Sequence, residues 1–409
     1  MYTLSQFQEL IGLEFVHEKF SDCFADATAE YELSGVPFLF DSFILNILNK
    51  YPFLTEKREF VMRELVRVRE SDIHARYSFI LYKMLCKNQG SERITLPELP
   101  KGKCVEDRVD YEMAAYFSLL AFAPKMIEYY EGRGLPKQII TDTLEDAFQL
   151  TVKLRNITHD RDGFDDKTYF SWNQLYTNYS IIRVGVLNFE LDARFGKKAE
   201  VFCDGQGNYK IYPKDTPVAK GGIVAGSAGY PDTEFVAALT ETDDDYIGYP
   251  INTSTARIGC ARESIPKSKW KRVLSFGDRV IGVHIPTASP ITRENCTAAY
   301  LECLDTVKKY FPEYNTQIIY CQSWLLDPQL QDFLPKSSNI ANFGSQYLRF
   351  PVLSQGNAVF SFLFRKPYNS YEELPERTTL ERAVKAHYIS GKYVYEAGGV
   401  IFSDMLCQK

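Results

Sequence analysis

The spacing of apolar residues changes once along this chain of 409 residues, and that change restricts the possible folds. From Leu4 to about Ala147, apolar residues recur at the spacing of amphipathic helices. After the polar stretch Thr158–Asp166, strand-like segments alternate with helical ones. A single core stops growing near ~250 to 300 residues, so this length favours two domains. We therefore predict a helical domain over residues 1–165 and a domain of strands and helices over residues 166–409.

Bulk composition excludes several classes of protein. The net charge of -6 gives no electrostatic attraction to phosphate backbones or anionic lipids, so neither nucleic acid nor a membrane surface is an expected partner. No uncharged run is long enough for a membrane span and no signal-like start is present, so we expect a cytoplasmic location. The nine cysteines are odd in number and never form C-x-x-C, which favours reduced thiols. The histidines lack metal-ligand spacing, so no metal is predicted, and the oligomeric state stays open.

The most informative segment is a strand, a helix and a second strand in the second half. Residues 280–285 read as a strand, and residues 286–292 form a loop that contains two prolines. The helix that follows has Cys296, Ala299, Cys303 and Val307 among the residues of one apolar face, and residues 317–324 form the next strand. A strand, a crossover helix and a strand predict two parallel neighbours, with the helix beginning beyond the end of the first strand.

Turn and capping signals predict further local elements. Glycine-bearing loops predict hairpins over residues 199–212 and 346–365. Two segments have the spacing of a capping box, in which a side chain and a backbone N–H exchange hydrogen bonds at a helix start. One predicts a helix from Asp142 toward Arg155, and the other predicts a helix from Thr378 that ends near Gly391.

Several short motifs together resemble one protein family. They are Val283–Pro286, Ser289–Thr292, Cys321–Pro328 and Ser338–Ile340 in the second half, and Gly134–Pro136, Asp142–Glu145 and Gly185–Glu190 in the first half and near the junction. They resemble a bacterial acyltransferase family that joins an N-acyltransferase N-terminal helical domain to a GNAT-like C-terminal domain. The resemblance covers nearly the whole chain, and the Ser-Trp-Leu-Leu-Asp-Pro run at residues 323–328 is a fairly specific motif.

The resemblance implies an α+β chain, all-α at first and then a GNAT-like α/β domain with a mixed, mostly antiparallel sheet. In that fold the fourth strand leads to a loop and helix that hold the CoA pyrophosphate, and the fifth strand diverges to admit the acyl arm. By order along the chain, residues 280–285 would be the fourth strand and residues 317–324 the fifth. The implied activity is direct transfer of an acyl group from acetyl-CoA or another acyl-CoA to the amine of a small molecule or peptide.

His284 is the candidate general base. It would stand at the end of the fourth strand, where the resemblance places such a group. A neutral imidazole can take a proton from an incoming ammonium near neutral pH, directly or through one water. The alternative is a structural histidine with its hydrogen bonds satisfied.

Candidate contacts with CoA follow His284 along the chain. A helix N-terminus supplies unpaired N–H groups and the positive end of the helix dipole, which suits pyrophosphate. The candidate residues are Ile285, Thr287, Ala288, Ser289, Thr292 and Arg293. The alternative is plain capping, with Ser289 as the N-cap and Pro290 at the first helical position.

Three further candidates lie at the end of the fifth strand. Gln322 or Ser323 could bond the pantetheine amides or the acceptor, and Trp324 could line an acyl pocket. Core packing explains Trp324 equally well. Asp327 precedes a proline, which favours an N-cap without a ligand role.

Two other kinds of site are excluded and one alternative function stays open. Ala225–Gly229 lacks the first glycine of a nucleophile elbow, which argues against a serine hydrolase. Asp160–Asp166 has the ligand spacing of a calcium loop only in part. The loop at residues 286–292 lacks the glycines of the usual GNAT phosphate loop, which favours the alternative of a GNAT-derived ligand-binding or regulatory module without turnover.

Overall fold

The chain forms two compact units, Met1–Val184 and Gly185–Lys409. The first is mainly helical and the second contains a mixed sheet, so the predicted fold class is confirmed. The computed structural model describes residues 2–13, 16, 18–87, 108–155, 159–164, 166–286, 289–364 and 368–406.

The first unit consists of helices with a few short strands. Its described elements are α1 (Leu4–Ile11), α2 (Glu18–Ser34), α3 (Asp41–Lys50), α4 (Arg58–Glu70), α5 (Asp72–Lys87), α6 (Arg108–Leu120), α7 (Ala123–Gly132), α8 (Lys137–Ala147), β1 (Thr151–Arg155), β2 (His159–Gly163), α9 (Asp166–Thr177) and β3 (Ile181–Val184). Helix α5 packs against α2 and α6, and the rings of Phe20 and Tyr77 meet between α2 and α5 with centroids 6.1 Å apart.

Local sequence sets the limits of α1. The Thr3 hydroxyl accepts from the Gln6 N–H at 3.2 Å, and the Gln6 side chain accepts from the Thr3 N–H at 2.9 Å. Gly12 ends the helix with φ 68°, a left-handed conformation that favours glycine. These reciprocal bonds satisfy donors that a helix N-terminus otherwise leaves exposed.

The predicted helix from Asp142 toward Arg155 is wrong at both ends. Helix α8 begins earlier, at Lys137, because the chain turns just before it and Pro136 occupies the N-cap position. Asp142 therefore lies inside the helix. The Glu145 carboxylate, predicted to complete the capping box, accepts instead from the Leu54 N–H at 2.8 Å. The helix ends at Ala147, and the residues before Arg155 form β1, which pairs antiparallel with β2.

The first compact unit extends beyond the predicted boundary at residues 165/166. Helix α9 follows that boundary and packs against α6, α7 and α8. Strand β3 also belongs to this unit, where the Arg183 side chain forms an ion pair with Asp146 at 2.8 Å.

The second unit is built mainly from strands. Its described elements are β4 (Leu187–Arg194), β5 (Ala199–Cys203), β6 (Tyr209–Pro213), β7 (Thr216–Ala219), β8 (Ile223–Val224), β9 (Phe235–Ala237), β10 (Thr240–Glu241), β11 (Asp245–Gly248), β12 (Ile251–Asn252), β13 (Arg257–Ile258), β14 (Glu263–Pro266), β15 (Lys271–Leu274), β16 (Arg279–His284), α10 (Arg293–Tyr310), β17 (Ile318–Ser323), α11 (Leu330–Phe333), α12 (Asn339–Phe343), β18 (Leu348–Pro351), α13 (Thr379–Ile389), β19 (Ala397–Phe402) and α14 (Ser403–Leu406).

The main sheet of the second unit has the strand order β18–β19–β17–β16–β4. Strands β16 and β17 run parallel, and the other neighbours in this series run antiparallel. The predicted strand–helix–strand unit is confirmed, because α10 connects β16 to its parallel neighbour β17. A parallel pair needs such a crossover because the chain must return to the same end of the sheet.

The two faces of this sheet pack against different layers. On one face, Phe189 of β4 meets Tyr300 of α10 edge to face, with ring centroids 6.3 Å apart. On the other face, Val280, Phe350 and Val400 belong to a core that also contains residues of the short strands β5–β15, such as Ile211. Successive strand residues point to opposite faces, so each of these strands contributes to both layers.

The two predicted hairpins have different outcomes. The hairpin over residues 199–212 is confirmed as β5 and β6. The hairpin over residues 346–365 is wrong, because β18 pairs with the distant strand β19 and Phe360–Phe364 forms a π-helix. Pairing across this distance buries Phe350 in the core, which a local hairpin signal does not reveal. The helix predicted from Thr378 is confirmed as α13, with its capping box formed.

Candidate functional site

The candidate site lies where the parallel strands β16 and β17 separate. In the described part of the chain, their register ends at the pair Gly282 and Tyr320. Beyond that pair, β16 stays in register with β4 as far as His284, and β17 stays in register with β19 as far as Ser323. Each strand keeps its outer neighbour while the ladder between the two ends, so the strands diverge. A register shift between Val280 and Gly282 adds local twist to β16.

Two predicted site residues, His284 and Gln322, lie on the same face of these diverging strands. His284 lies two residues beyond Gly282, and Gln322 lies two residues beyond Tyr320. Strand side chains alternate between the two faces with a period of two. His284 therefore lies on the same face as Gly282, and Gln322 lies on the same face as Tyr320. His284 and Gln322 therefore stand on the two sides of the divergence. The Tyr320 hydroxyl lies on this face as well and donates to Gln322 Oε1 at 3.2 Å.

The imidazole of His284 is accessible and has a carboxylate beside it. Its side chain is 35% exposed, and Nε2 lies 3.0 Å from Oε2 of Glu190, whose side chain is 24% exposed. Glu190 belongs to β4, where it is the register partner of Gly282. The imidazole ring is therefore partly exposed to solvent and held by a contact with a neighbouring strand. A group in this position can exchange protons with a ligand that enters between the strands.

The N-terminus of α10 follows the end of β16. Thr292 is its N-cap, with its hydroxyl accepting from the Asn295 N–H at 3.2 Å. Arg293 is the first helical residue and its side chain is exposed. The first N–H groups of a helix lack intrahelical acceptors, so they point toward any anion near Thr292.

Ser289 is not the N-cap that the sequence predicts. Helix α10 begins three residues later than that prediction requires, since the Thr292 N–H donates to the Pro290 carbonyl at 2.8 Å and the chain turns before the helix starts. The Ser289 Oγ is buried and has no hydrogen-bond partner among the described residues. Ile285 is half-buried at the end of β16. Thr287 and Ala288 lie outside the described residues.

The residues after β17 make local bonds. The Ser323 hydroxyl accepts from the Leu325 N–H at 3.1 Å and caps a short 3₁₀ turn at Trp324–Leu326. Trp324 is 7% exposed, so its ring is packed within the domain. These contacts account for Ser323 and Trp324 locally, and their predicted roles toward a ligand stay predictions.

Asp327 is a buried carboxylate and not the N-cap predicted for it. It is 4% exposed, and α11 begins after Gln329 without a side-chain cap. Its Oδ2 accepts from the Tyr395 N–H at 2.6 Å, and its Oδ1 accepts from the Gln329 N–H at 3.0 Å. Burial raises the pKa of Asp327 to about 6, although these N–H bonds oppose the rise. The carboxylate ties the segment after β17 to the start of β19.

Glu190 is the residue at this site that sequence reasoning misses. It lies in a mostly buried strand, and a lone glutamate in such a strand is compatible with an edge or surface position. Only the register between β4 and β16 brings it to His284. The available signal is its place in a motif near the junction, which indicates a family but no role.

The described residues contain neither a cluster of metal ligands nor a helix suited to span a membrane. No group of three or more histidine, cysteine, aspartate or glutamate side chains in this part of the chain is arranged to hold a metal ion. Among the described helices, none combines the length and apolar character that crossing a membrane requires.

Comparison with known families matches both halves of the chain. A family described as a GNAT-like C-terminal domain matches residues 181–401, and one described as an N-acyltransferase N-terminal domain matches residues 48–178. The resemblance predicted from the short motifs is confirmed for both. No curated protein matches the sequence.

Solved structures with the same fold cover almost the whole chain. One is an acyltransferase in complex with decanoyl-CoA and teicoplanin, and another is an acyltransferase in complex with CoA and 10C-teicoplanin. Each is 17% identical, with a TM-score of 0.59, and the match covers 97% of this chain and 98% of that chain. At this identity the likeness establishes a shared fold.

Proposed function

Because the chain belongs to the family defined by a GNAT-like C-terminal domain, here preceded by an N-acyltransferase N-terminal domain, we propose that it is an acyltransferase that uses an acyl-CoA and acylates an amine. One observation carries the proposal. Strands β16 and β17 diverge after Gly282 and Tyr320, and an accessible imidazole, His284, stands at the point of divergence. A thioester threaded between the strands would lie beside that ring.

The acyl-CoA would follow the path from the gap to α10. The N–H of Ile285 and its neighbours on β16 would hold the thioester oxygen, since backbone donors stabilise a developing oxyanion. The pyrophosphate would lie at the start of α10, near Ser289, Thr292 and the exposed guanidinium of Arg293. Thr287 and Ala288 remain candidates from the sequence alone. Gln322 and Ser323 would face the pantetheine arm, and Trp324 would contribute to the packed wall behind it.

The reaction would be direct transfer within a ternary complex. His284 takes a proton from the ammonium of the acceptor, and the resulting amine attacks the thioester carbon. The C–N bond forms as the C–S bond breaks, and the CoA thiolate takes the second proton of the nitrogen. Tyr320 is the candidate that passes this proton to the thiolate, because its hydroxyl lies on the same face as His284 and donates to Gln322 Oε1. The products are an amide, CoA thiol and one proton released by His284.

The ligands named for the similar structures support the class of co-substrate. Decanoyl-CoA and CoA are named in those complexes, and teicoplanin is named as the second ligand. We propose by analogy that this chain takes an acyl-CoA and that the acceptor is a small molecule or peptide with an amine.

An alternative function is supported by the loop before α10. Pro286 and Pro290 have no N–H, and the N–H groups of Ser289, Ile291 and Thr292 donate to carbonyls within the loop. This leaves fewer backbone donors for a pyrophosphate than a glycine-rich loop offers. A GNAT-derived module that binds a ligand without turnover is therefore the second candidate.

Calorimetry and a turnover assay distinguish these functions. Isothermal titration with acetyl-CoA, octanoyl-CoA and decanoyl-CoA should show binding of at least one. Release of CoA thiol should then depend on an amine, tested with ethanolamine, lysine, spermidine, a lysine tripeptide and teicoplanin. Binding without release across this panel would favour the module without turnover. No heat at millimolar ligand would contradict both functions.

The role of α10 has a matched test. Arg293→Gln should weaken acyl-CoA binding about tenfold, because a charge-assisted bond to phosphate is lost. Lys309→Gln is the control, since it removes a charge at the opposite end of the same helix. Equal effects of the two substitutions would remove the N-terminus of α10 from the binding site.

A further inference from the structure

Glu396 lies on the face of the main sheet that carries Gln322. It immediately precedes β19, two residues before Gly398, which is the register partner of Gln322. Since side chains along an extended chain alternate between the faces, Glu396 shares the face of Gln322. Burial, the Cys321 thiol and the charge of Glu396 together raise the pKa of the Tyr320 hydroxyl. The Glu396 carboxylate is therefore near Tyr320, on the strand beside the divergence.

Lys197 approaches Glu396 from the segment that follows β4. Two residues earlier, the Phe195 ring meets the Tyr320 ring edge to face, with centroids 5.5 Å apart, and meets the Phe350 ring at 5.9 Å. Burial lowers the pKa of the Lys197 ammonium, and the charge of Glu396 opposes that shift. The ammonium and the carboxylate are thus close enough to interact electrostatically.

These two opposite charges do not contact each other. In the part of the chain that the structure describes, neither the Lys197 ammonium nor the Glu396 carboxylate has a hydrogen bond, or an ion pair within 4.0 Å. The nearby Tyr320 hydroxyl donates to Gln322 at 3.2 Å instead. Both charged side chains are half-buried. A charge in this position has lost part of its hydration without gaining a partner, which is unfavourable.

The backbone of Glu396 is held in place. Its N–H donates to Ser354 Oγ at 2.9 Å, and Ser354 is 2% exposed. The Ser354 N–H in turn donates to Ser227 Oγ at 3.2 Å. Two buried hydroxyl groups therefore fix the chain where β19 begins. The separation between the two charges is a feature of this packing.

A ligand with both charges would satisfy both side chains. The head group of an amino acid has an ammonium and a carboxylate on one carbon atom. We propose that Glu396 binds the ammonium and Lys197 binds the carboxylate of an amino-acid head group in the acceptor, through charge-assisted hydrogen bonds. This inference rests on the proposed acyltransferase function and names the class of its acceptor.

The distance from the head group to His284 determines which amine reacts. Strand β17 lies between β16, which carries His284, and β19. Neighbouring strands are ~4.8 Å apart, so the backbones of β16 and β19 are separated by about 10 Å. A head group beside β19 therefore leaves His284 to a second amine of the same molecule. That amine loses a proton to His284 and forms the C–N bond as the C–S bond breaks. The acceptor is thus a diamino acid.

Three amines with the same terminal amine test the head-group site. L-lysine has both head-group charges, cadaverine lacks the carboxylate, and 6-aminohexanoate lacks the α-ammonium. Calorimetry on the full chain, with and without CoA, should show that L-lysine binds about tenfold more tightly than either analogue. Lys197→Met should reduce the preference for L-lysine over cadaverine about tenfold. Glu396→Gln should reduce the preference for L-lysine over 6-aminohexanoate by a similar factor.

Matched controls lie at exposed positions. Lys198→Met removes a neighbouring ammonium, and Glu302→Gln removes a carboxylate from the exposed side of α10. Both variants should keep the preferences of the wild type. Turnover with decanoyl-CoA should repeat the pattern in kcat/KM, and mass spectrometry should find the acyl group on the side-chain amine of L-lysine.

Each result decides a separate claim. If L-lysine binds no more tightly than both analogues, the head-group site is refuted, whether or not CoA thiol is released. Equal losses for all three amines in the Lys197 and Glu396 variants would refute it too, since a general effect on folding or on the cleft would act in that way. The predicted preferences without any release of CoA thiol would support the site and contradict the acyltransferase function.

Discussion

The buried carboxylate of Asp327 makes the stability of the second unit depend on pH. Asp327 is 4% exposed, and its two oxygens accept N–H bonds from Gln329 and Tyr395. Burial raises the pKa of this carboxyl to about 6 from its ordinary value of 3.8. The folded chain therefore binds the proton more tightly than the unfolded chain does. The stability that this group contributes is fully present below about pH 4 and is lost as the pH rises through 6.

The pKa difference sets the size of the effect. Since one pKa unit corresponds to about 1.4 kcal/mol, the change between pH 4 and pH 7 is about 3 kcal/mol. Asp327→Asn removes the titration and keeps one acceptor oxygen. At pH 4 the variant should be the less stable protein, because one acceptor is lost. At pH 7 the difference should shift by about 3 kcal/mol in favour of the variant, because no buried charge remains.

Urea denaturation of both proteins at several pH values measures this shift. Changes in other carboxyl groups cancel in the difference between wild type and variant, and Asp305→Asn, at an exposed position of α10, serves as the control. A shift of similar size for the control would show that the effect does not come from the buried carboxylate. If the difference for Asp327→Asn is constant from pH 4 to pH 7, the carboxylate does not titrate as its burial requires.

Three further predictions concern catalysis and packing. His284→Ala should leave acyl-CoA affinity nearly intact and lower kcat by about 10²- to 10⁴-fold, as seen by calorimetry and CoA release; equal turnover would remove the base assignment. Gly398→Ala should lower the free energy of unfolding by about 1–3 kcal/mol and lower Tm, because the added Cβ would collide with the Phe350 ring. Gly132→Ala, which adds a Cβ in open space, should not lower Tm. Thr378→Ala should cost about 1 kcal/mol in thermal denaturation through loss of the α13 capping box, and an unchanged Tm would show that the cap is not needed.

Short-range patterns in the sequence determined several elements correctly. The capping box at Thr378 predicts α13, and the glycine-bearing loop predicts the hairpin of β5 and β6. The order of strand, helix and strand predicts the parallel pair β16 and β17. Each of these depends on residues close together in the chain, whose hydrogen bonds and apolar spacing are visible in the sequence.

Predictions failed where a distant segment competes with a local one. The apparent hairpin after residue 346 gives way to pairing between β18 and β19, which buries Phe350. The candidate N-cap Ser289 fails for a different and local reason, since the chain turns again before α10 begins and Thr292 becomes the N-cap. A local sequence signal contributes a small free energy to one conformation, and the burial of a large side chain contributes more.

The sequence by itself determined the two-part organisation, the family and His284 as the candidate base, because periodicity and short motifs are properties of neighbouring residues. Only the tertiary structure decided that β16 and β17 diverge, that Glu190 meets His284 and that Asp327 is buried. Those facts depend on strand register and on which segments exclude water from each other. Register is fixed by packing across the whole domain, and residues far apart in the chain meet only when that packing forms.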